Sequence, residues 1–201
     1  MKTSLEESKT LVNLMRAFAG ESQARNRYTI AASLADQSHL HVVADVFRYT
    51  ADQEREHAEA FYKLMAAANG QTVTIDGGYP VDLDPEVLGQ LKAAKHNETE
   101  EWETVYPSFA AIAKEEGFAL IGDTFANIAA VERTHAIRFG QYAQLLESDT
   151  LFRADGQVAW LCLNCGHIHY GPAAPKVCPV CKHDQGYFIR NSLVPFIATI
   201  Q

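Results

Sequence analysis

Through the first three quarters of the chain, apolar residues recur every three or four positions with few prolines between them, a periodicity that dictates long amphipathic helices. Four are expected. Ser4 and Glu7 have capping-box spacing, in which each side chain satisfies backbone donors left free at a helix start, so a first helix should begin there and run to about Asp36. A second should run from about His39 to Ala68, stopped by Asn69-Gly70, where glycine can take the left-handed conformation. Residues 71–83 hold Gly77-Gly78 and Pro80 and read as a long crossover. Asp84 and Pro85 then open a third helix that reaches Gly117, with a kink expected at Pro107, and a fourth spans about Phe118 to Leu146. Two antiparallel helix pairs joined by one long crossover make an all-α four-helix bundle of the ferritin-like kind.

The stripes that should face the core of this bundle are interrupted by charge. On the first helix the stripe reads Leu11, Leu14, Phe18, Glu21, Arg25, Tyr28, Ala32, and on the second Val43, Phe47, Thr50, Glu54, His57, Phe61, Leu64. The third carries Leu91, Ala94, Glu98, Glu101, Val105, and the fourth Ile121, Phe125, Ile128, Glu132, His135, Phe139, Tyr142. Antiparallel packing can bring these five carboxylates and two imidazoles to one level. A buried carboxylate without counter-charge is strongly unfavourable, and two metal ions would supply the missing charge. Carboxylates suit iron or manganese and can bridge two ions, while the i, i+3 steps Glu54/His57 and Glu132/His135 present both ligands on one helix face. One Glu-x-x-His step in a charged helix is common by chance; four interrupted stripes in register are not. Tyr28 and Tyr106 follow Glu21 and Glu101 closely enough for their hydroxyls to support the ligands. His39, His41, His96, His167, His169 and His183 lack such a context and read as surface or structural.

After Ser148 the helical pattern stops. A bundle over residues 1–148, a connector over 149–157 and a small β-rich module over 158–201 are expected, with short strand-prone runs at Gln157–Leu161 and Gly186–Ile189. All four cysteines of the chain lie in this module, as Cys162-Leu-Asn-Cys165 and Cys178-Pro-Val-Cys181, a pair of tight knuckles that can close a tetrahedral four-sulfur site. Trp160, Tyr170, Tyr187 and Phe188 would give it a core. Spacing alone slightly favours structural zinc over mononuclear iron; a redox-capable two-metal site on the same chain favours iron, because an electron relay then has a use.

Charge narrows the partners. Seventeen Lys and Arg against 25 Asp and Glu leave a net charge of −8, which argues against nucleic acid. Neither a signal peptide nor a membrane span is readable, and unpaired thiols suit a reducing compartment, so a cytoplasmic protein is expected.

The motifs Phe18-Ala-Gly-Glu21-Ser-Gln-Ala-Arg-Asn-Arg-Tyr28, Glu54-Arg-Glu-His57, Glu98-Thr-Glu-Glu101-Trp102 followed by Tyr106-Pro107, Glu132-Arg-Thr-His135 and Cys178-Pro-Val-Cys181-Lys-His resemble those of the rubrerythrins over nearly the whole chain. The resemblance implies a non-haem di-iron peroxidase that reduces hydrogen peroxide, with a rubredoxin-like domain feeding it electrons. It implies Glu21, Glu54, Glu98, Glu101, Glu132 and His135 as di-iron ligands, with Glu54 and Glu132 bridging. His57 and Glu101 would exchange on one iron, the histidine when reduced and the carboxylate when oxidised. Cys162, Cys165, Cys178 and Cys181 would hold one further iron, a place zinc can take in preparations. Only Lys95-His96-Asn97 departs from the family's glycine-containing form. The implied partners are an external donor, such as a nicotinamide-dependent reductase or rubredoxin, and a second copy of the chain in a head-to-tail homodimer or a higher homo-oligomer. No dinucleotide-binding glycine fingerprint occurs in the chain itself. Two other readings stay open at this stage: a ferroxidase handling iron for storage, and a non-catalytic bundle with a structural zinc ribbon.

Overall fold

The computed structural model describes residues 4–194. Helices α1 (Lys9–Gln37), α2 (His41–Leu64), α3 (Val87–Glu100), α4 (Tyr106–Glu115) and α5 (Ala119–Glu147) precede strands β1 (Arg153–Cys162), β2 (Ile168–Ala173) and β3 (Phe188–Arg190). Between α3 and α4 lies one π-helical turn, Glu101–Val105, in which the Tyr106 N–H donates to the Glu101 carbonyl. These three segments together form the third rod of a four-helix bundle, and its irregularity is a change of hydrogen-bond register in the turn before Pro107. Pro107 itself sits in the first turn of α4, where its missing N–H costs little.

The helix ends shift from the expected places for local reasons. Ser4 opens only a single 3-10 turn and makes no side-chain cap. The cap of α1 is Ser8, whose Oγ accepts from the Leu11 N–H, and the Glu116 carboxylate accepts from the N–H groups of Lys9 and Thr10 at 3.0 and 2.9 Å. Asp84 accepts from the Glu86 N–H as a cap should, but regular helix starts at Val87. The helix then continues unbroken through Lys95-His96-Asn97. The crossover is strapped to the bundle by Asp82, which accepts from Arg27 and Asn97, each at 2.8 Å, and by the Arg16–Asp76 ion pair.

The bundle core falls into two apolar clusters with a polar layer between them. One holds Tyr28, Val43, Phe47, Leu91 and Phe139; the other holds Leu14, Phe61, Tyr106, Phe125 and Ile128. Of the expected stripe residues, Arg25 is exposed and Ala24, one position earlier, takes its inward place three residues after Glu21 and four before Tyr28.

The small domain is an antiparallel sheet of order β2-β1-β3, with Trp160 of β1 opposite both His169 and Arg190. Its strand begins at Arg153, inside the stretch expected as connector, because Arg153 pairs with Ala173 across a register shift. Trp160, Cys162, Ala174, Cys178 and Phe188 form its core, whereas Tyr170, expected there, faces solvent. Leu151 and Ile189 join the first bundle cluster, so this domain packs on the end of the bundle where α1 turns into α2.

Candidate metal centres

The polar layer is built from Glu21 of α1, Glu54 and His57 of α2, Glu98 of α3, and Glu132 and His135 of α5. All but His57 are fully shielded from solvent. Two four-residue groups result, Glu21/Glu54/His57/Glu132 and Glu54/Glu98/Glu132/His135. Glu54 and Glu132 belong to both. His57 Nδ1 faces Glu132 Oε1 at 2.9 Å and Glu54 Oε2 at 3.2 Å, and His135 Nδ1 faces Glu132 Oε2 at 2.7 Å and Glu54 Oε1 at 3.0 Å. Each shared carboxylate thus turns one oxygen to each group, which is the geometry of a bridge between two ions.

Hydrogen bonding does not account for this cluster. Glu21 Oε2, Glu54 Oε1, Glu98 Oε2, both oxygens of Glu132 and His135 Nδ1 are buried without a hydrogen-bond partner. Burial, then the other carboxylates, pushes Glu21 well above the usual carboxylate range and Glu98 up to about 8. For Glu54 burial acts in the same direction, but the close approach of His135 and His57 outweighs it and holds the carboxyl at about 2. Burial alone would lower His57, yet Glu132 and Glu54 draw it up to about 9. Buried carboxylates and imidazoles so poorly supplied with hydrogen bonds need counter-charge, and the two groups fit two metal ions.

The supports of the cluster are reciprocal. Tyr106 O–H donates to Glu21 Oε1 at 2.5 Å, and Tyr28 O–H donates to Glu98. Glu101, on the π turn, lies outside both groups and lines a neighbouring cavity of about 670 Å³ with Tyr106, Phe109 and the crossover. Sequence reasoning missed Gln53 and Arg138, and placed Thr50 on the core stripe without a role at the site. Arg138 donates to Thr50 Oγ1 and Gln53 Oε1 at 3.0 Å each; Gln53 Oε1 then accepts from His135 Nε2 at 3.1 Å, leaving the Nδ1 lone pair aimed at the carboxylates. Periodicity gives no warning of this, although Gln53 is adjacent to Glu54 and Arg138 is one turn beyond His135.

In the small domain the two knuckles repeat each other. The N–H groups of Cys162 and Cys178 donate to the His167 and His183 carbonyls at 2.8 Å, and Gly166 and Lys182 occupy equivalent left-handed positions. Cys162 Sγ lies 3.7 Å from Cys181 Sγ and Cys165 Sγ 3.7 Å from Cys178 Sγ. Sulfurs about 2.3 Å from a tetrahedral ion are roughly 3.8 Å apart, so the four thiols fit one such ion without rearrangement. No disulfide links them. A third group, His39, His41 and Asp184, lies where the two domains meet. His96, His167, His169 and His183 join none of the candidate groups among the described residues.

Comparison with known proteins decides the family. Residues 12–143 match the Rubrerythrin family and residues 160–189 the rubredoxin-like domain of rubrerythrin. The chain belongs to the rubrerythrin family. It is 43% identical over 186 residues to rubrerythrin of Clostridium perfringens, covering 92% of this chain and 95% of that one, and 41% identical over 188 residues to rubrerythrin of Porphyromonas gingivalis, covering 94% and 92%. Among solved structures it resembles nigerythrin in a mixed-valence state, with TM-score 0.62 and 28% identity over 94% of this chain and 88% of that one. A Mycobacterium tuberculosis bacterioferritin, at TM-score 0.62 and 17% identity over 74% of this chain and 90% of that one, shares the bundle fold. The chain carries the family's di-iron carboxylate–histidine site and its four-cysteine rubredoxin-like site. No helix among the described residues is long and apolar enough to cross a membrane.

Proposed function

We propose that this oxidoreductase is a peroxidase, reducing hydrogen peroxide to two waters with two electrons and two protons, in defence against oxidative stress in a reducing cytoplasm. The observation that carries the reading is the pairing, on one chain, of a buried carboxylate–histidine cluster that two ions could share with a four-thiol site at the bundle end. Iron storage alone would leave the second site without a task, and a structural zinc ribbon would leave the first without one.

The two irons would supply the electrons that cleave the O–O bond. The chain's residues do the rest. Glu21, Glu54, His57, Glu98, Glu132 and His135 would hold the pair, with Glu54 and Glu132 shared between the two ions. Tyr106 and Tyr28 fix the terminal carboxylates Glu21 and Glu98 by their hydroxyl donors. Peroxide reaches the site through the cavity beside Glu101. Glu101 lines that cavity and His57 stands in the cluster, so on a bound iron the two would be placed to exchange, a neutral imidazole suiting the ferrous ion and a carboxylate the ferric one.

An iron held by Cys162, Cys165, Cys178 and Cys181 would take electrons from an external reductase or rubredoxin, and we place their onward path between subunits. Tyr187 stacks on His41 at 4.0 Å, at the start of α2, whereas Glu54 is 13 residues further along that helix. At about 1.5 Å rise per residue, roughly 20 Å separates the two levels within one chain. A head-to-tail homodimer would place each cysteine site beside the partner's bundle. The decisive experiment reduces the iron-loaded protein without oxygen, adds one equivalent of peroxide and follows both iron chromophores. Cys178→Ser should lose steady-state turnover with a protein donor and keep a single turnover of chemically reduced bundle iron. Loss of that single turnover in a folded, di-iron-loaded variant would refute the division of labour.

A further inference from the structure

His39 of the turn between α1 and α2, His41 at the start of α2 and Asp184 of the segment after the second cysteine knuckle come together, His39 and Asp184 being 145 residues apart in sequence. His39 Nδ1 lies 3.0 Å from Asp184 Oδ2 and His41 Nε2 lies 3.8 Å from the same oxygen; the three atoms lie within 4.8 Å of one another. The second of these distances is too long for a hydrogen bond. Two ligands about 2.0–2.1 Å from one tetrahedral ion are roughly 3.3 Å apart, and the observed pair brackets that separation.

The surroundings are arranged as they are behind metal-binding imidazoles. His41 Nδ1–H donates to Asp36 Oδ1 at 2.8 Å, which fixes the tautomer and leaves the Nε2 lone pair turned to Asp184. Arg48 donates to the other Asp36 oxygen, and the His41 ring lies stacked on Tyr187. Asp184 Oδ1 is committed to the Gly186 N–H at 2.8 Å, so Oδ2 is the oxygen presented to the two histidines. Backbone choices agree. His39 sits at φ 56°, directly after α1, a position glycine would occupy at lower cost; histidine there supplies an imidazole instead. The His39 carbonyl passes 2.0 Å from where a Cβ on residue 186 would be, so Gly186 is what lets the two segments close on each other.

We propose that His39, His41 and Asp184 form a third metal site, taking one divalent ion of the zinc class with water in the remaining position, and that its occupancy clamps the cysteine domain to the bundle end. Two imidazoles and one carboxylate with an open position suit borderline ions over calcium or magnesium. This site shares no residue with the di-iron or four-cysteine sites, so it stands or falls independently of the peroxidase reading.

The test is calorimetric titration of Zn²⁺ into the fully iron-loaded protein, with the visible absorption of both iron sites recorded throughout. One further equivalent per chain should bind without loss of iron. His39→Gly, which keeps and relieves the left-handed turn, should abolish that equivalent; Asp184→Asn, which keeps the cap on Gly186, should weaken it strongly. Asp36→Asn should weaken it about tenfold through the orientation of His41. Absence of the extra equivalent, zinc uptake matched by iron release, or uptake unchanged in both His39→Gly and Asp184→Asn would overturn the proposal and leave only a hydrogen bond between domains.

Discussion

Removing the bundle metals should turn stability into a steep function of pH. In the metal-free cluster His57 is drawn from the ordinary 6.5 to about 9 despite burial, by Glu132 and Glu54, and burial holds Glu98 at about 8 against an ordinary 4.5. For the histidine, the folded state binds its proton more tightly than the unfolded chain. That stabilisation is complete below pH 6.5 and vanishes as pH rises through 9. For Glu98 the unfolded carboxyl ionises from pH 4.5 upward while the folded one does not, so the fold loses ground until about pH 8. Both slopes are negative and overlap between pH 6.5 and 8. The His57 contribution alone is roughly 3 kcal/mol; the Glu98 contribution is coupled to it through Glu54 and does not simply add. At about 2–4 °C per kcal/mol for a protein of this size, the melting point of the metal-free bundle should fall by roughly 6–12 °C between pH 6 and 9.5. Metals displace these protons, so the gain in melting point on loading should widen over the same range. Circular dichroism melts of chelated and iron-loaded protein across that interval provide the measurement. A metal-free melting point that stays flat or rises with pH would refute this account of the cluster.

Phe47→Ala, at a fully buried site against Tyr28 and Phe139, should cost about 3–5 kcal/mol in chemical denaturation of the loaded protein. Gly186→Ala forces a Cβ onto the His39 carbonyl, so limited proteolysis should cut between residues 148 and 153 faster than in the unaltered chain, while the four-cysteine iron spectrum persists. Glu101→Ala should slow peroxide-driven reoxidation more than ferrous loading, and unchanged peroxide kinetics in a fully loaded variant would count against a role for Glu101. Deleting Thr104, an exposed residue of the π turn, should restore continuous α-helix and reproduce the Glu101→Ala kinetics in a folded protein.

The charged layer was legible in the sequence because helical periodicity reports burial directly, and Glu21, Glu54, Glu98, Glu132 and His135 are all buried where the stripes put them. The cysteine knuckles were legible because both pairs are local. What escaped depends on contacts between distant segments or on backbone register. Gln53 and Arg138 meet across two helices, and His39 reaches Asp184 only after the domains dock. The π turn leaves no mark on side-chain pattern beyond a proline, and Pro107 signalled the irregularity without saying where the ladder would change.

That turn makes sense once the two helix pairs are laid side by side. On α1, Tyr28 follows Glu21 by seven residues, close to two helical turns; on the third rod, Tyr106 follows Glu98 by eight. Each tyrosine donates to the glutamate of the other rod, Tyr28 to Glu98 and Tyr106 to Glu21. For this exchange to be symmetrical, the extra residue must be absorbed between Glu98 and Tyr106, and the π turn at Glu101–Val105 absorbs it. The counterpart of Glu101 on α1, three residues after Glu21, is Ala24, which packs in the core. The π turn therefore keeps Tyr106 in register with Glu21 despite the extra residue, and at its start this rod carries a carboxylate beside the cavity where the other carries only a methyl group. A pseudo-symmetric frame surrounds the carboxylate–histidine layer, and the one break in its symmetry falls on the side where Glu101 and Tyr106 line the cavity.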